Sequence, residues 1–196
     1  AFGVHPSLLP RWRGPDPYFW ALLHGDTHTG VSWHRLAAGY DTGDVIAQWR
    51  VPILATDNAL KLAKRLDAPS LALFVQAAQQ LMAGQPLHGA RQDDASSTEA
   101  PAPDDDQLTL HWQDPADAIV RRVRALAPHP GAGTLLGDEE VELVSASVYD
   151  GTLPRALEPG DAALSTRGVV VRAGRDAVLV ERVRTADGEL VSGADV

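Results

Sequence analysis

The chain has no cysteine, which excludes disulfides, thiolate metal sites and a thiol nucleophile. Lysine is nearly absent: Lys61 and Lys64 are the only two among 17 basic side chains, set against 26 acidic ones for a net charge of −9. Such a balance is poorly suited to gripping nucleic acid through phosphate contacts. No run approaches the roughly 18 uninterrupted apolar residues that read as a membrane span. No secretory leader pattern occurs either, and the expected location is cytoplasmic with no membrane partner. Phosphate-binding GxGxxG and GxxxxGK[ST] loops are missing, and no internal repeat is visible. An initiator methionine is missing too. The chain opens on AFGVHPSLLPRWRG, an apolar run leading straight into His5 and a loop stiffened by Pro6 and Pro10.

What is present is ordinary globular composition, 44% apolar and 22% charged over 196 residues, enough for one or two domains with a real core. Val4 ends a short strand that places His5 at its C-terminal end, where ligands bind in open α/β sheets. Gly14-Pro15 signals a turn. Asp16 is then predicted to cap a helix with Pro17 at its first position, stopping at Gly25. Residues 30–36 and 44–52 read as a hairpin-like strand pair around the turn GYDTGD. A helical stretch starts at Thr56 or Asp57, is expected to be divided by Pro69, and ends at Gly84.

Residues 89–106 hold almost no large apolar side chain and read as a linker or surface-hugging crossover. The tail begins with a strand at LTLHW and continues through a short helix, DPADAIVRRVRAL, and the turn APHPGAG. Strand-like runs VELVSASVY, GVVVRAG and DAVLVERVRT follow, spaced by turns such as GTLPRALEPGD. Short strands at this spacing predict a small β-barrel or sandwich.

Two residues stand out as chemistry. His5 at a strand end and Asp41 in a Gly-flanked turn can form an acid/base pair, the carboxylate fixing the imidazole tautomer and stabilising its cation. Read blandly, the same residues are a capping His and an Asp that stabilises its own turn. His24 and His28 are four apart, as zinc ligands on a helix would be. Gly25 and the DTHTG turn break that helix, and no metal is expected. Tyr18, Phe19 and Trp20 read as core packing, and Asp104–Asp106 as a solvated run.

HPSLLPRWRG, followed in order by GDTHTGV and GYDTGDVIAQ, resembles the folate-dependent formyltransferase family. RALAPHPGAGT resembles the entry to the C-terminal β-barrel of its methionyl-tRNA formyltransferase members. The resemblance implies an α/β chain. Residues 1–88 would be the second half of a Rossmann-like catalytic domain, 89–106 the linker, and 107–196 a small OB-like barrel. The segment that supplies the first half of the sheet in family members would lie before residue 1. The implied reaction moves a formyl group from 10-formyltetrahydrofolate, as co-substrate, to a primary amine through a tetrahedral intermediate. His5 matches the catalytic His, and Asp41 the Asp that orients it, helps deprotonate the amine and borders the folate. Ser7, Leu8, Leu9 and Pro10 would wall the folate cleft. Arg13 and Gly14 would hold the substrate loop, and His34 would reach the acceptor; a surface Arg13 and a structural His34 are the plainer alternatives.

One position departs from the family. Gly3 stands where the family has an Asn, and losing one oxyanion donor typically costs about 10²–10³ in rate. Two acceptors stay open. The tail resembles a tRNA-binding domain, yet residues 107–196 hold nine basic against fourteen acidic side chains, which favours a sugar amine, an amino acid or another small amine. Arg121, Arg122 and Arg124 form a compact basic run within this tail. A different class of function also stays open, a catalytically weak or inactive protein that binds folate or a partner. The retained pair His5 and Asp41 argues for an enzyme. Nothing in the sequence fixes the oligomeric state.

Overall fold

The computed structural model describes residues 1–154 and 156–195; Arg155, within the predicted turn GTLPRALEPGD, lies outside them. The chain divides into two compact units, Ala1–Ala102 and Pro103–Val196. In the first, β1 (Phe2–His5), β2 (His28–Arg35) and β3 (Val45–Pro52) form an antiparallel sheet in the order β1-β2-β3. Helix α1 (Pro17–Leu23) joins β1 to β2, and α2 (Ala59–Met82) follows β3.

The apolar residues of α2 explain its docking. Leu62, Leu66, Leu73 and Ala77 recur at helical spacing on one buried face. Leu66, Leu73 and Ala77 pack on Val31 and Trp33 of β2 and Val51 of β3, with Leu87 completing the cluster. Asn58, not Thr56 or Asp57, caps α2, accepting from the Lys61 N–H at 2.9 Å. Asp57 is instead buried, accepts from the Leu54 N–H at 2.8 Å and pairs with Arg65. Pro69 does not divide the helix, which runs through it. At α1, Pro17 takes the first turn as predicted, but the Asp16 side chain makes no capping hydrogen bond.

The stretch read as linker lies along the first unit as far as residue 102. Ala90 exchanges backbone hydrogen bonds with Val45, Gln92 is buried, and the Ala100 N–H donates to the Arg13 carbonyl at 2.6 Å.

The second unit is a small, mostly β domain. A capping-boxed turn of helix, α3 (Asp105–Leu108), precedes α4 (Ala116–Leu126). The expected LTLHW strand is therefore not formed: Leu108 closes α3, and Thr109–Leu110 touch Gly133 only through an isolated bridge. Six antiparallel strands follow: β4 (Ala132–Leu136), β5 (Glu139–Val148), β6 (Ala162–Ser165), β7 (Gly168–Arg172), β8 (Ala177–Arg184) and β9 (Leu190–Ser192). Their order is β4-β5-β8-β7-β6, with β9 also on β8. Register shifts near Ser145 bend β5 against β8, as bulges do. Ile119, Val123 and Leu126 of α4 are buried together with Leu143, Val180 and Val183 of the strands. Asp117 in the first turn of α4 and Arg124 in its last complement the helix dipole.

Candidate active site

β1 delivers His5 at its end, and pairing with β2 sets Gly3 opposite His34 and His5 opposite Ser32. The turn between β2 and β3 carries Asp41 at φ 54°, a left-handed conformation that Asp tolerates better than most residues. Its carboxylate meets three groups. Oδ2 lies 3.3 Å from His5 Nδ1 and accepts the Gly14 backbone N–H at 3.0 Å, while Oδ1 lies 3.3 Å from His34 Nε2. Both imidazoles are almost fully buried, whereas the Asp41 side chain keeps 20% exposure. The carboxylate is thus the member of the cluster that a ligand can reach.

The outer nitrogens fix the tautomers. A backbone carbonyl only accepts, so His5 Nε2–H donates to the Trp12 carbonyl at 2.7 Å and His34 Nδ1–H to the Arg35 carbonyl at 2.9 Å. In their neutral forms both rings therefore turn a lone pair toward Asp41. Burial holds His5 below its ordinary value of 6.5, outweighing the Trp12 hydrogen bond and the Asp41 charge, which favour the cation. His5 is consequently kept as a base. One proton placed between Nδ1 and Oδ2 would satisfy both atoms, so the pair can take up a proton and return it.

The loop after His5 is held in detail. Ser7 and Leu9 turn inward: the Ser7 hydroxyl donates to the Arg11 carbonyl at 2.6 Å, and the Leu9 N–H donates to Ser32 Oγ at 3.0 Å. Leu8 and Pro10 remain half-buried on the loop. Of the predicted folate wall, two residues therefore shape the loop from within and two stand at its surface. Arg13 is buried and not a surface residue; Nε and Nη2 donate to Gln92 Oε1 at 3.0 and 2.8 Å, and Nη2 also to Asp94 at 2.9 Å. With its guanidinium so engaged, Arg13 braces the loop from within. Gly14 adopts φ 121°, and a Cβ there would meet the Ala100 carbonyl oxygen at 2.9 Å. Only glycine fits where its N–H must reach Asp41.

Gly3 has a specific neighbourhood as well. A Cβ at that position would lie 2.9 Å from a Leu36 methyl and 3.2 Å from His34 Nε2. The space that a longer side chain would fill thus adjoins the His34–Asp41 contact. Gln92 was not legible as a site residue, because its segment has linker composition and its three partners, Arg13, Asp41 and Gly43, lie far away in sequence.

His24 and His28 fall on different elements, His24 capping the end of α1 with its ring tilted against Trp12 at 4.8 Å, His28 opening β2. Phe19 is core, and Trp20 stacks on Trp12 at 5.9 Å. In the second unit the basic run is tied internally. Arg121 pairs with Asp117, and Arg122 donates to the Asp106 and Thr109 carbonyls at 2.8 and 2.5 Å. A groove of about 1120 Å³ runs beside Trp112, Thr134, Glu140, Glu142 and Arg184. Arg184 there is held by Glu142 and the Pro128 and Pro130 carbonyls, and none of the predicted site residues lines the groove.

A buried His–Asp–His cluster at the end of a strand, closed by a Gly-Asp contact from the following loop, is carried here by a chain that belongs to the formyl transferase family. The family's formyl transferase description matches residues 1–78, and its C-terminal domain description matches residues 104–196. Among individual relatives, methionyl-tRNA formyltransferase of Anaeromyxobacter dehalogenans (strain 2CP-1) is 37% identical over 198 residues, covering 100% of this chain and 63% of that protein. That of Syntrophus aciditrophicus is 33% identical over 193 residues, 98% of this chain and 61% of that protein. The chain thus spans about three fifths of the length of the curated relatives it matches. HypX from Aquifex aeolicus, solved with tetrahydrofolic acid, superposes with a TM-score of 0.79 at 21% identity over 99% of this chain and 34% of its own. The N-formyltransferase from Helicobacter canadensis, solved with folinic acid and dTDP-3-aminofucose, gives 0.73 at 17% identity over 91% of this chain and 65% of its own. Both share the fold.

Proposed function

We propose that the chain carries the catalytic machinery for transferring a formyl group from 10-formyltetrahydrofolate to a primary amine. The observation that supports this most directly is the Asp41 carboxylate, partly open to ligand and flanked by two buried imidazoles. The folate supplies the activated formyl carbon. The residues of this chain handle protons: the amine must lose one to form the new C–N bond, and the folate nitrogen must gain one as its bond to the formyl carbon breaks. Asp41 faces the amine, and His5 Nδ1 shares the proton it collects, with the Trp12 carbonyl keeping the ring aligned. The half-exposed Leu8 and Pro10 fit one wall of an apolar-faced folate.

Methionyl-tRNA is the acceptor that the relatives support, since they match both units and carry that activity in their names. A small amine is the second reading, favoured by the acidic second unit and its internally tied arginines. No helix among the described residues is long and apolar enough to cross a membrane.

Release of tetrahydrofolate from 10-formyltetrahydrofolate, followed with candidate amines, tests the proposal. His5→Ala and Asp41→Asn should each lower the rate about a hundredfold or more, the scale of losing a general base. Unchanged rates would remove both residues from the chemistry.

A further inference from the structure

The apparent linker contains a buried amide whose hydrogen-bonding capacity is fully used. Gln92 is 7% exposed. Its Nε2 donates to the Asp41 carbonyl at 2.6 Å and to the Gly43 carbonyl at 2.7 Å, and its Oε1 accepts twice from Arg13, at 3.0 and 2.8 Å. The orientation is unambiguous, since a flipped amide would set its NH₂ against the guanidinium and its oxygen against two carbonyls. A few residues on, the same segment clasps the other loop. The Arg13 N–H donates to the Thr98 carbonyl at 2.8 Å, the Trp12 N–H to Thr98 Oγ1 at 2.9 Å, and the Ala100 N–H to the Arg13 carbonyl at 2.6 Å.

The two loops tied together in this way are those that build the cluster. One carries Asp41; the other carries the Trp12 carbonyl that orients His5 and the Gly14 N–H that anchors the carboxylate. Asp41 and Trp12 both sit at positive φ, 54° and 61°. Backbone in that region is held by its surroundings and does not rest there by preference. The hydrogen bonds and ion pairs given for the His5 and His34 rings run to Trp12, Arg35 and Asp41, not to residues 92–100.

We infer that Gln92 is a positioning residue for formyl transfer, and that the segment 90–100 is a strap whose work is to fix Asp41 relative to His5. This deepens the proposed function and rests on Asp41 acting in it. Gln92→Glu is the informative change. A glutamate keeps the pairing with Arg13, so the chain retains a reason to fold, but it has no donors for the Asp41 and Gly43 carbonyls. Gln92→Leu, which removes the Arg13 contact as well, is the companion variant.

Two readouts are compared in the full chain: kcat and KM for 10-formyltetrahydrofolate, and the ring-nitrogen NMR titrations of His5 and His34 without substrate. The expected result for Gln92→Glu is a drop in kcat of about 10²-fold, the scale of a displaced catalytic group, with KM little changed and the His5 titration moved. A folded Gln92→Glu with wild-type kcat, or with an unmoved His5 titration, overturns the inference, as does an effect confined to Tm in both variants. A wild type that transfers no formyl group while the His5 titration still responds to Gln92→Glu sinks the formyl-transfer reading and leaves the strap intact. A wild type that transfers well with Gln92→Glu unaffected does the reverse.

Discussion

His5 carries two opposed influences, and their sum is measurable. Burial holds its folded-state value below 6.5, while the unfolded chain protonates it normally. Below about pH 6.5 the unfolded state therefore binds more protons, and stability falls as the pH falls. Above that range the contribution is level. Thermal unfolding at about pH 7 and about pH 5 should show a Tm that drops for the wild type and drops less for His5→Leu; equal slopes would contradict the desolvation argument. Asp26, held low by Arg11 and Trp12, loses its contribution only below its ordinary 3.8 and leaves this window clear. The Asp41→Asn variant is clean for a related reason, because Asn tolerates the left-handed backbone as Asp does, so the change removes charge without adding strain. Gly3→Asn makes the complementary test. The exposed Leu36 can swing away from the new side chain, so the variant should fold and its formyl-transfer rate should hold or rise. A sharp loss would show that glycine is required there for shape beside His34.

At the scale of elements, what could be read in advance depended on whether the signal was local. His5, Asp41 and the strands that hold them lie in short motifs and turn residues, and the two side chains meet as the resemblance to the formyltransferase family implied. The roles of Ser7, Leu9 and Arg13 were harder to place, because a sequence does not say which way a loop side chain turns. Gln92 was missed because a polar residue in a Pro- and Asp-rich stretch looks solvated until its distant partners are known. LTLHW lost its strand to the capping box at Asp104 and Gln107, a competing local signal. Pro69 misled in the opposite direction. The buried stripe of Leu62, Leu66, Leu73 and Ala77 straddles it, and packing on the sheet outweighs the lost backbone bond. An interior proline costs up to about 3 kcal/mol relative to alanine, part of which is returned by stiffening the unfolded chain. Pro69→Ala should therefore raise stability by about 1–3 kcal/mol in denaturant titration, and a loss would mean that the helix has adapted to the ring.

Across the whole molecule, both units are acidic, with eight basic against nine acidic side chains in residues 1–102 and nine against seventeen in residues 103–196. Polyanion binding through released counterions makes affinity fall steeply with salt, whereas capture of a small amine does not. Raising salt from about 50 to about 200 mM should weaken binding of a charged tRNA by orders of magnitude if tRNA is the acceptor. A flat response of kcat/KM would favour a small amine.

The way residues 90–102 are anchored also bears on how this protein can be taken apart. A cut at residue 88, where composition alone would divide the chain, strips Gln92, Thr98 and Ala100 from the loops they hold. The first unit closes only at Ala102. Chimeras that exchange the second unit for another domain should therefore be joined after residue 102, and fusions made at the compositional break would inherit the candidate site without its brace.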